Sequence, residues 1–375
     1  MSLFQDKLKQ ITREELITTK LKLVYDEINS RFNYIERISL ALYDAECDSL
    51  TTYIHCTGEG DPLSRYQARL SDSKSLSEIA ASGDPRIIND ISVFESLNKQ
   101  HTEQIRKHGY KSSYTYPIYN KNQFYGFIFI NATRVNAFTD NVLEAISPLI
   151  HLIAALTVIE FSIINTLSST VKTALVMSHH RDPETGEHLE RMARYSRLIA
   201  MEVAEKHNLD DETIEHIFLF APLHDVGKIA IPDNILLKPD KLSVEEFEYM
   251  KVHAKKGLEI VNSILVNYQL DGMQHTTILR NIIRSHHEKI NGKGYPDGLV
   301  GDEIPIEARI VAVADVFDAL TSKRAYKEPW SMDEAFAELQ RLSNVELDAD
   351  CVNALLKNRE SIQRIQTLFV DSEIG

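Results

Sequence analysis

Residues 223–253 read LHDVGKIAIPDNILLKPDKLSVEEFEYMKVH, and this stretch carries His224 beside Asp225, Lys228 three positions on, and His253 at its end. Working outward, Glu184 and His188 precede it, and the double histidine His286-His287 and Asp315 follow. Imidazole and carboxylate are the usual ligands of borderline and hard divalent metals, and eight such side chains are more than one closed tetrahedral site can use. The surplus predicts two or three ions. Several ions joined by shared carboxylates suit in-line displacement at phosphorus, with attacking and leaving oxygens both clamped.

The chain has 375 residues with 43% apolar content, enough for two domains that each bury a core. A formal charge of −14 excludes broad binding to DNA or RNA polymers or to an anionic membrane surface, which need an extended basic footprint. A small anionic substrate still fits, because metals supply positive charge locally. Cys47, Cys56 and Cys351 show no zinc or disulfide spacing, so they are expected reduced and buried. The N-terminal SLFQDKLKQITREEL lacks an apolar core behind a basic region and does not read as a secretory leader. The most hydrophobic stretch, Ala145 to Ile159, is shorter than the roughly 20 apolar residues of a membrane span and contains Pro148 and His151. The expectation is a cytoplasmic protein with no membrane partner.

The pattern changes near residue 155. Before it, RISLALYDAE, YKSSYTYPIYN and QFYGFIFINA read as strands separated by the turn-prone ECDS, TGEGDP and NKN. Helical segments flank them at Lys20–Arg31 and Asp140–Leu156. That is an α+β pattern with an antiparallel sheet. Beyond it, amphipathic helices dominate. After Glu184, His188, Met192, Tyr195, Ile199 and Val203 line one helical face and turn His188 toward the core. A second helix starts at Asp210 or Asp211, either a competent N-cap, and places Ile214, Ile217, Phe218 and Ala221 on one stripe. Pro222 is expected to kink its last turn.

Between the halves, Leu152, Leu156, Ile159, Ile163, Leu167, Val171, Ala174 and Met177 recur every three or four residues. Such a stripe either packs onto its own protein or joins two copies as a parallel coil, which would make a homodimer. The organisation predicted is an N-terminal helical segment over 1–20, a sheet domain over 21–155, a connecting helix over 156–177 and an all-helical domain over 178–375.

The strings RDPETGEHLERMARYSRLIA (181–200), the 223–253 stretch and HHEKINGKGYPDGLVGDEIPIEARIVAVADVFDALTSKRAYKEPW (286–330) follow one another in the order and spacing of an HD-GYP domain. The second half resembles this branch of the HD superfamily of metal-dependent phosphohydrolases from about Ser178 to Trp330, with His224-Asp225 and Gly294-Tyr295-Pro296 as its name-giving elements. The resemblance implies an all-α catalytic domain, two or three iron or manganese ions, and hydrolysis of cyclic di-GMP to pGpG and in many members on to GMP. Carried over position by position, the metal ligands are Glu184, His188, His224, Asp225, His253, His286, His287 and Asp315. Glu184 is the residue that implies a third ion. Similarity also implies phosphate contacts from Arg324 and Lys327, and Tyr295 as a wall for the substrate.

A metal-bridging hydroxide is the expected nucleophile, with Asp225 as the carboxylate bridge and Lys228 meeting a phosphate or the departing 3′ oxygen. Gly292, Gly294 and Gly298 make the GYP loop permissive to close backbone approach by a ligand. Duller readings accompany each residue. An isolated histidine such as His253 is more often hydrogen-bonded than a ligand, and its place between the two paired motifs makes the difference. Lys228 also suits a helix C-terminus. His179 and His180 read as structural, His207 and His216 as solvated, and Asp318 as orienting a ligand or capping a turn. Where many members of the family end in a glycine-containing segment with Phe-Asp-Pro, this chain reads SNVELDADCVNALL (343–356), a departure expected to bear on packing.

From about Leu21 to Ala155 the chain resembles a GAF domain, a sensing module for small ligands, with SSYTYPIYNKNQFYGFIFINATRVNAFTDNVLEAISPLI (112–150) as its most similar piece. An unknown small ligand or a purely dimerising role are both open there, and none of Cys47, Cys56, His55, His101 and His108 is clearly placed for heme or bilin. Two other functions remain in view: a phosphodiesterase preferring 3′3′-cyclic GMP-AMP, and a non-catalytic cyclic dinucleotide receptor, a role usually accompanied by lost ligands.

Overall fold

The computed structural model describes residues 9–11, 16–58, 67–94, 108–178, 186–270, 275–322 and 328–370. The chain separates into two compact units, Met1–Ile163 and Ile164–Gly375.

In the first unit, helix α1 (Ile17–Arg31) precedes strands β1 (Ile35–Asp44), β2 (Ser49–Thr57) and β3 (Gln67–Arg69), helix α2 (Lys74–Ser82), and strands β4 (Arg86–Ile88), β5 (Ser112–Asn120) and β6 (Gln123–Ala132). The strands form one antiparallel sheet in the order β3-β2-β1-β6-β5-β4. Lys121 and Asn122, both at positive φ, close the β5–β6 hairpin with the backbone twist that a tight two-residue turn requires. Period-two alternation puts Ile38, Leu40, Ile128 and Ile130 on one face. Tyr116 on that face meets His151, ring centroids 5.4 Å apart. The opposite face carries the Phe127, Leu50, Leu70 and Ile79 cluster and a buried polar row, in which Arg37 donates to Ser39 and Asn131 donates to Ser113 at 3.2 Å. Of the cysteines, Cys56 and Cys351 are buried as expected, while Cys47 is only half-buried.

The helix foreseen to end at Leu156 does not stop there. It continues unbroken as α3 (Asp140–Ser178), 39 residues with Pro148 inside. Its inward face is also a different one from the stripe singled out in the sequence. Ile146, Ile150, Ile153, Thr157, Phe161 and Ile164 are buried, whereas of the stripe Ile159 is 56% exposed, Leu152, Leu156 and Ile163 are half-buried and Leu167 alone among its described side chains is buried. Val171, Ala174 and Met177 lie outside the described side chains. The stretch expected to be too short for a membrane is, as a helix, long enough: Asp140–Thr170 passes on length and composition, with a window of mean hydropathy 2.1. Its inward face nevertheless belongs to the sheet's core. Tyr53 donates to Glu160 at 3.2 Å, and its ring packs edge-on against Phe161 at 5.0 Å.

The described part of the second unit is helical. Its main elements are α4 (Gly186–His207), α5 (Asp211–Phe220), the short α6 (Asp233–Leu236) and α7 (Val244–Met250), α8 (Val252–Asn267), α9 (Thr276–Ser285), α10 (Ile306–Thr321), α11 (Met332–Leu342), α12 (Ala349–Lys357) and α13 (Arg359–Leu368). His188, Met192, Tyr195, Ile199 and Val203 are all buried, so the 3.6-residue period placed the inner face of α4 correctly. Tyr195 meets Phe317 of α10 edge-on at 5.2 Å.

Several local expectations change. Asp210 is the N-cap of α5, accepting from the Thr213 amide at 2.8 Å. Pro222 falls after the helix, in a short 3-10 turn over Ala221–Leu223, so it terminates rather than kinks. Phe218 leaves the core stripe and lies under the Arg197 guanidinium at 4.1 Å. His216 is buried, not solvated: it stacks on His275 at 3.8 Å, and its Nδ1 donates to the Glu212 carbonyl at 2.7 Å. In the segment that departs from the family pattern, Asp348 caps α12 through the Asp350 and Cys351 amides and takes Arg309 at 2.8 Å. That is a packing role.

Candidate metal centre

Five elements deliver side chains to one place. His188 comes from the first turn of α4, His224 and Asp225 from the tight turn after α5, and His253 from the first turn of α8. His286 and His287 follow the end of α9, and Asp315 stands in α10. They gather in two groups, Asp225 with His253, His286 and His287, and His188 with His224 and Asp315, the candidate ligand atoms of each lying within 4.8 Å of one another. Glu184, Arg324 and Lys327 lie outside the described residues, as do His179 and His180.

The way each ring is anchored decides which nitrogen is presented. Nδ1 of His224 donates to the Ala221 carbonyl at 2.9 Å, that of His253 to Met250 at 2.8 Å and that of His286 to Ile282 at 3.0 Å. A carbonyl oxygen only accepts, so Nδ1 holds the proton and the neutral ring turns the lone pair of Nε2 inward. These carbonyls belong to the turn just before each histidine, which makes the anchor a product of local helical geometry. His188 differs, because its Nδ1 donates to Asp318 Oδ2 at 2.7 Å.

Those lone pairs face oxygen. Nε2 of His253 and of His286 lie 3.1 and 3.5 Å from Asp225 Oδ1, and Nε2 of His224 lies 3.2 Å from Asp225 Oδ2. Asp225 Oδ1 and the Nε2 atoms of His253 and His286 are buried and form no hydrogen bond. Burial lowers the proton affinity of His286, and burial with the neighbouring His286 takes His287 well below the usual histidine range. Two neutral rings presenting lone pairs to a carboxylate repel it unless a cation lies between them. The donor set therefore fits divalent metal, with the imidazoles of His188, His224, His253 and His286 each oriented by a second hydrogen bond.

Burial would push the Asp225 carboxyl up, yet the Lys228 ammonium and His224 together hold it well below the usual carboxylate range. Lys228 Nζ is 2.9 Å from Asp225 Oδ2. The tight turn needs Gly227 for space: a Cβ there would sit 1.9 Å from the His253 carbonyl oxygen and 2.5 Å from the Gly257 amide nitrogen. Turn and helix thus meet backbone to backbone, which sets Asp225 against His253. No sequence reading singled Gly227 out. Its signal was the position between Asp225 and Lys228.

Tyr295 closes one side, its ring 4.7 Å from His287 and 6.1 Å from His253. The loop bearing it is fastened by Glu288, another residue that sequence reasoning missed. Its buried carboxylate accepts from the amides of Asp297 at 2.7 Å, Gly298 at 3.1 Å and Leu299 at 3.0 Å. Gly294 serves this same closure. A Cβ there would lie 2.3 Å from the Lys289 nitrogen, so the close approach expected for a ligand is made by the loop's own backbone.

Asp318, foreseen as orienting a ligand or capping a turn, orients His188. Burial opposes its charge, but His188 and Arg191 hold its pKa down to about 2. Arg191 grips it with Nε to Oδ1 at 2.7 Å and Nη2 to Oδ2 at 3.0 Å, and Ser322 donates to Oδ2 at 2.9 Å. Arg191 itself had given no separate signal, standing on α4 among other charged residues.

Comparison with known proteins places this geometry. Residues 183–351 match the HD domain family model. The chain is 48% identical over 188 residues to the cyclic di-GMP phosphodiesterase response regulator RpfG of Xanthomonas campestris, covering 50% of this chain and 46% of that protein. It is 42% identical over 190 residues to a cyclic di-GMP phosphodiesterase of Thermotoga maritima, covering 50% and 48%. It is 38% identical over 191 residues to 3′3′-cGAMP-specific phosphodiesterase 2 of Vibrio cholerae, covering 51% and 34%. The chain spans less than half the length of these relatives. Among solved structures, the phycoerythrobilin-bound GAF domain of a cyanobacterial phytochrome matches with a TM-score of 0.32 at 18% identity, over 41% of this chain and 94% of that one. A TM-score at that level does not establish a common fold.

Proposed function

We propose that this chain is a metal-dependent cyclic dinucleotide phosphodiesterase that opens cyclic di-GMP to pGpG. The observation that carries the reading is the inward Nε2 lone pairs of His253 and His286 against the buried Oδ1 of Asp225. The similarity of residues 183–351 to HD domains, and of the chain to cyclic dinucleotide phosphodiesterases, supports the choice of substrate.

Divalent ions held by these groups, iron or manganese in this reading, would acidify water and withdraw charge from the phosphodiester oxygens. Asp225, central to one group and in contact with His224 of the other, is the carboxylate suited to serve both. Lys228 brings an ammonium to the same place, where it meets the 3′ oxygen as negative charge builds on it. Tyr295 walls the substrate on one side, Arg324 and Lys327 contact phosphate, and Glu184 adds a ligand for a third ion. On this reading the first unit acts as a GAF-like sensory or dimerising domain in the cytoplasm. The stripe of Leu152, Leu156, Ile159 and Ile163 on α3 then pairs two copies.

The test is direct. Protein loaded anaerobically with Fe(II) or with Mn(II) is expected to convert cyclic di-GMP to pGpG, followed by chromatography, and no turnover with either metal overturns the reading. The relatives include enzymes for both messengers, so kinetics on cyclic di-GMP and 3′3′-cyclic GMP-AMP side by side decide the preference.

A further inference from the structure

Next to the metal-ligand groups, a row of side chains leads outward from Tyr295, and beyond that ring it has no part in the mechanism above. Tyr295, whose ring packs on His287, is followed outward by Lys251, its Nζ 5.6 Å from the Tyr295 ring centroid. The same Nζ lies 5.1 Å from the ring of Phe247. Lys251 thus stands between two aromatic rings, a cation–π arrangement on both sides. Glu248 fixes it further at 2.6 Å. Phe247 is 48% exposed, a large apolar ring left at the surface one helical turn before Lys251. Lys251 is two residues from His253, so the row is built into the backbone that positions a candidate ligand.

The plain structural role of Lys251 is to complement the C-terminal end of α7, where a cation is favoured. That role does not account for an exposed phenylalanine beside it. A half-exposed ring, a cation and a second ring leading toward a phosphate-cleaving centre have the composition of a base-stacking platform, on which a purine face lies against aromatic or cationic side chains. The cation adds direction. Guanine offers two acceptors, N7 and O6, on its major-groove edge, whereas adenine offers one acceptor and one donor. An ammonium donor at that edge favours guanine.

We propose that Phe247 and Lys251, with Tyr295, form the platform that takes one guanine base of the cyclic dinucleotide, Phe247 by stacking and Lys251 by donating to N7 and O6. This rests on the phosphodiesterase reading and adds to it the residues that select the base.

The experiment compares cyclic di-GMP with bis(p-nitrophenyl) phosphate, a phosphodiester without a purine, on Mn(II)-loaded full-length protein, and measures bound metal in every variant. Phe247→Ala and Lys251→Met are expected to raise KM for cyclic di-GMP about tenfold, in the range of one lost base contact. Cleavage of the purine-free ester and metal content should stay at wild-type levels, and Phe247→Tyr, which keeps the ring, should restore KM. Lys251→Met should also reduce discrimination between cyclic di-GMP and 3′3′-cyclic GMP-AMP. Equal loss on both esters, or loss of metal, would show that these residues serve the fold or the metal groups and would overturn the proposal. So would an unchanged KM. Failure of the parent reading has another signature: wild-type protein that cleaves the purine-free ester and neither dinucleotide.

Discussion

Asp318 and His188, on different helices and 130 residues apart in the chain, are joined by a 2.7 Å hydrogen bond from the histidine's Nδ1 to the carboxylate. The bond fixes the tautomer of His188 and aims Nε2 at the site, and the Arg191 fork keeps Asp318 ionised to do so. Asp318→Asn keeps the shape and removes the charge. Its expected result is a 10- to 100-fold weaker hold on metal and a loss of about 3 kcal/mol in stability, since the buried two-pronged ion pair of Arg191 with Asp318 is broken. Metal titration and thermal unfolding of the variant check both, and wild-type affinity in the variant would contradict the orienting role.

Asp225 and Glu184 should part company. Asp225→Ala is expected to abolish metal retention and hydrolysis together, because three histidine Nε2 atoms converge on this one carboxylate. Glu184→Ala should lower the metal-to-protein ratio and spare some activity. Elemental analysis beside turnover distinguishes them, and complete loss in both would argue against a separate third ion.

Lys228→Ala should leave metal content unchanged while lowering kcat about 100-fold, as for the loss of one charge-stabilising donor. A contact that strengthens only as charge develops on a leaving oxygen, as proposed for Lys228, makes kcat fall more than KM rises. A variant that loses metal would instead make the pair with Asp225 structural.

Gly227→Ala tests the backbone contact beneath the centre. With a Cβ placed 1.9 Å from the His253 carbonyl, the turn and α8 must separate. Overpacking of this kind costs about 3 kcal/mol, or roughly 6–12 °C in the melting temperature of a unit this size. The displacement carries Asp225 away from His253, so metal affinity should fall as well.

His216 predicts an acid limb. Burial, with His275 beside it, takes its pKa to about 3, below the ordinary 6.5. The unfolded chain therefore binds a proton that the folded one refuses between those values, and stability present above pH 6.5 declines as pH falls toward 3. His216→Phe retains a ring against His275 and removes the titration. Its melting temperature should be lower at neutral pH but flatter across the acid range, and an unchanged acid slope would exclude His216 as its source.

Much of this protein was legible before any coordinates. The candidate ligands are ordered along the chain and carry their own chemistry, and helical periodicity alone turned His188 inward. Strand alternation and the NKN turn likewise located β5 and β6, because side-chain period and turn geometry are local properties of the backbone. On α3 the same kind of reasoning left open whether the stripe of Leu152, Leu156, Ile159 and Ile163 packs inward or pairs two copies. Apolar residues surround that helix, so periodicity cannot say which stripe meets the sheet, and only packing of Ile146, Ile150 and Ile153 decided it.

What the amino-acid sequence determined by itself was the donor inventory, the helical and strand periods and the candidate reaction centre they imply. What only the tertiary structure decided was how residues far apart constrain one another: the two candidate ligand groups, the Asp318–Arg191 support of His188, the Glu288 clamp on the Tyr295 loop, and the burial of His216. The physical reason is that composition and period act within a few turns of chain. Desolvation, tautomer choice and backbone-to-backbone contact such as that at Gly227 depend on neighbours that only the folded chain brings within reach.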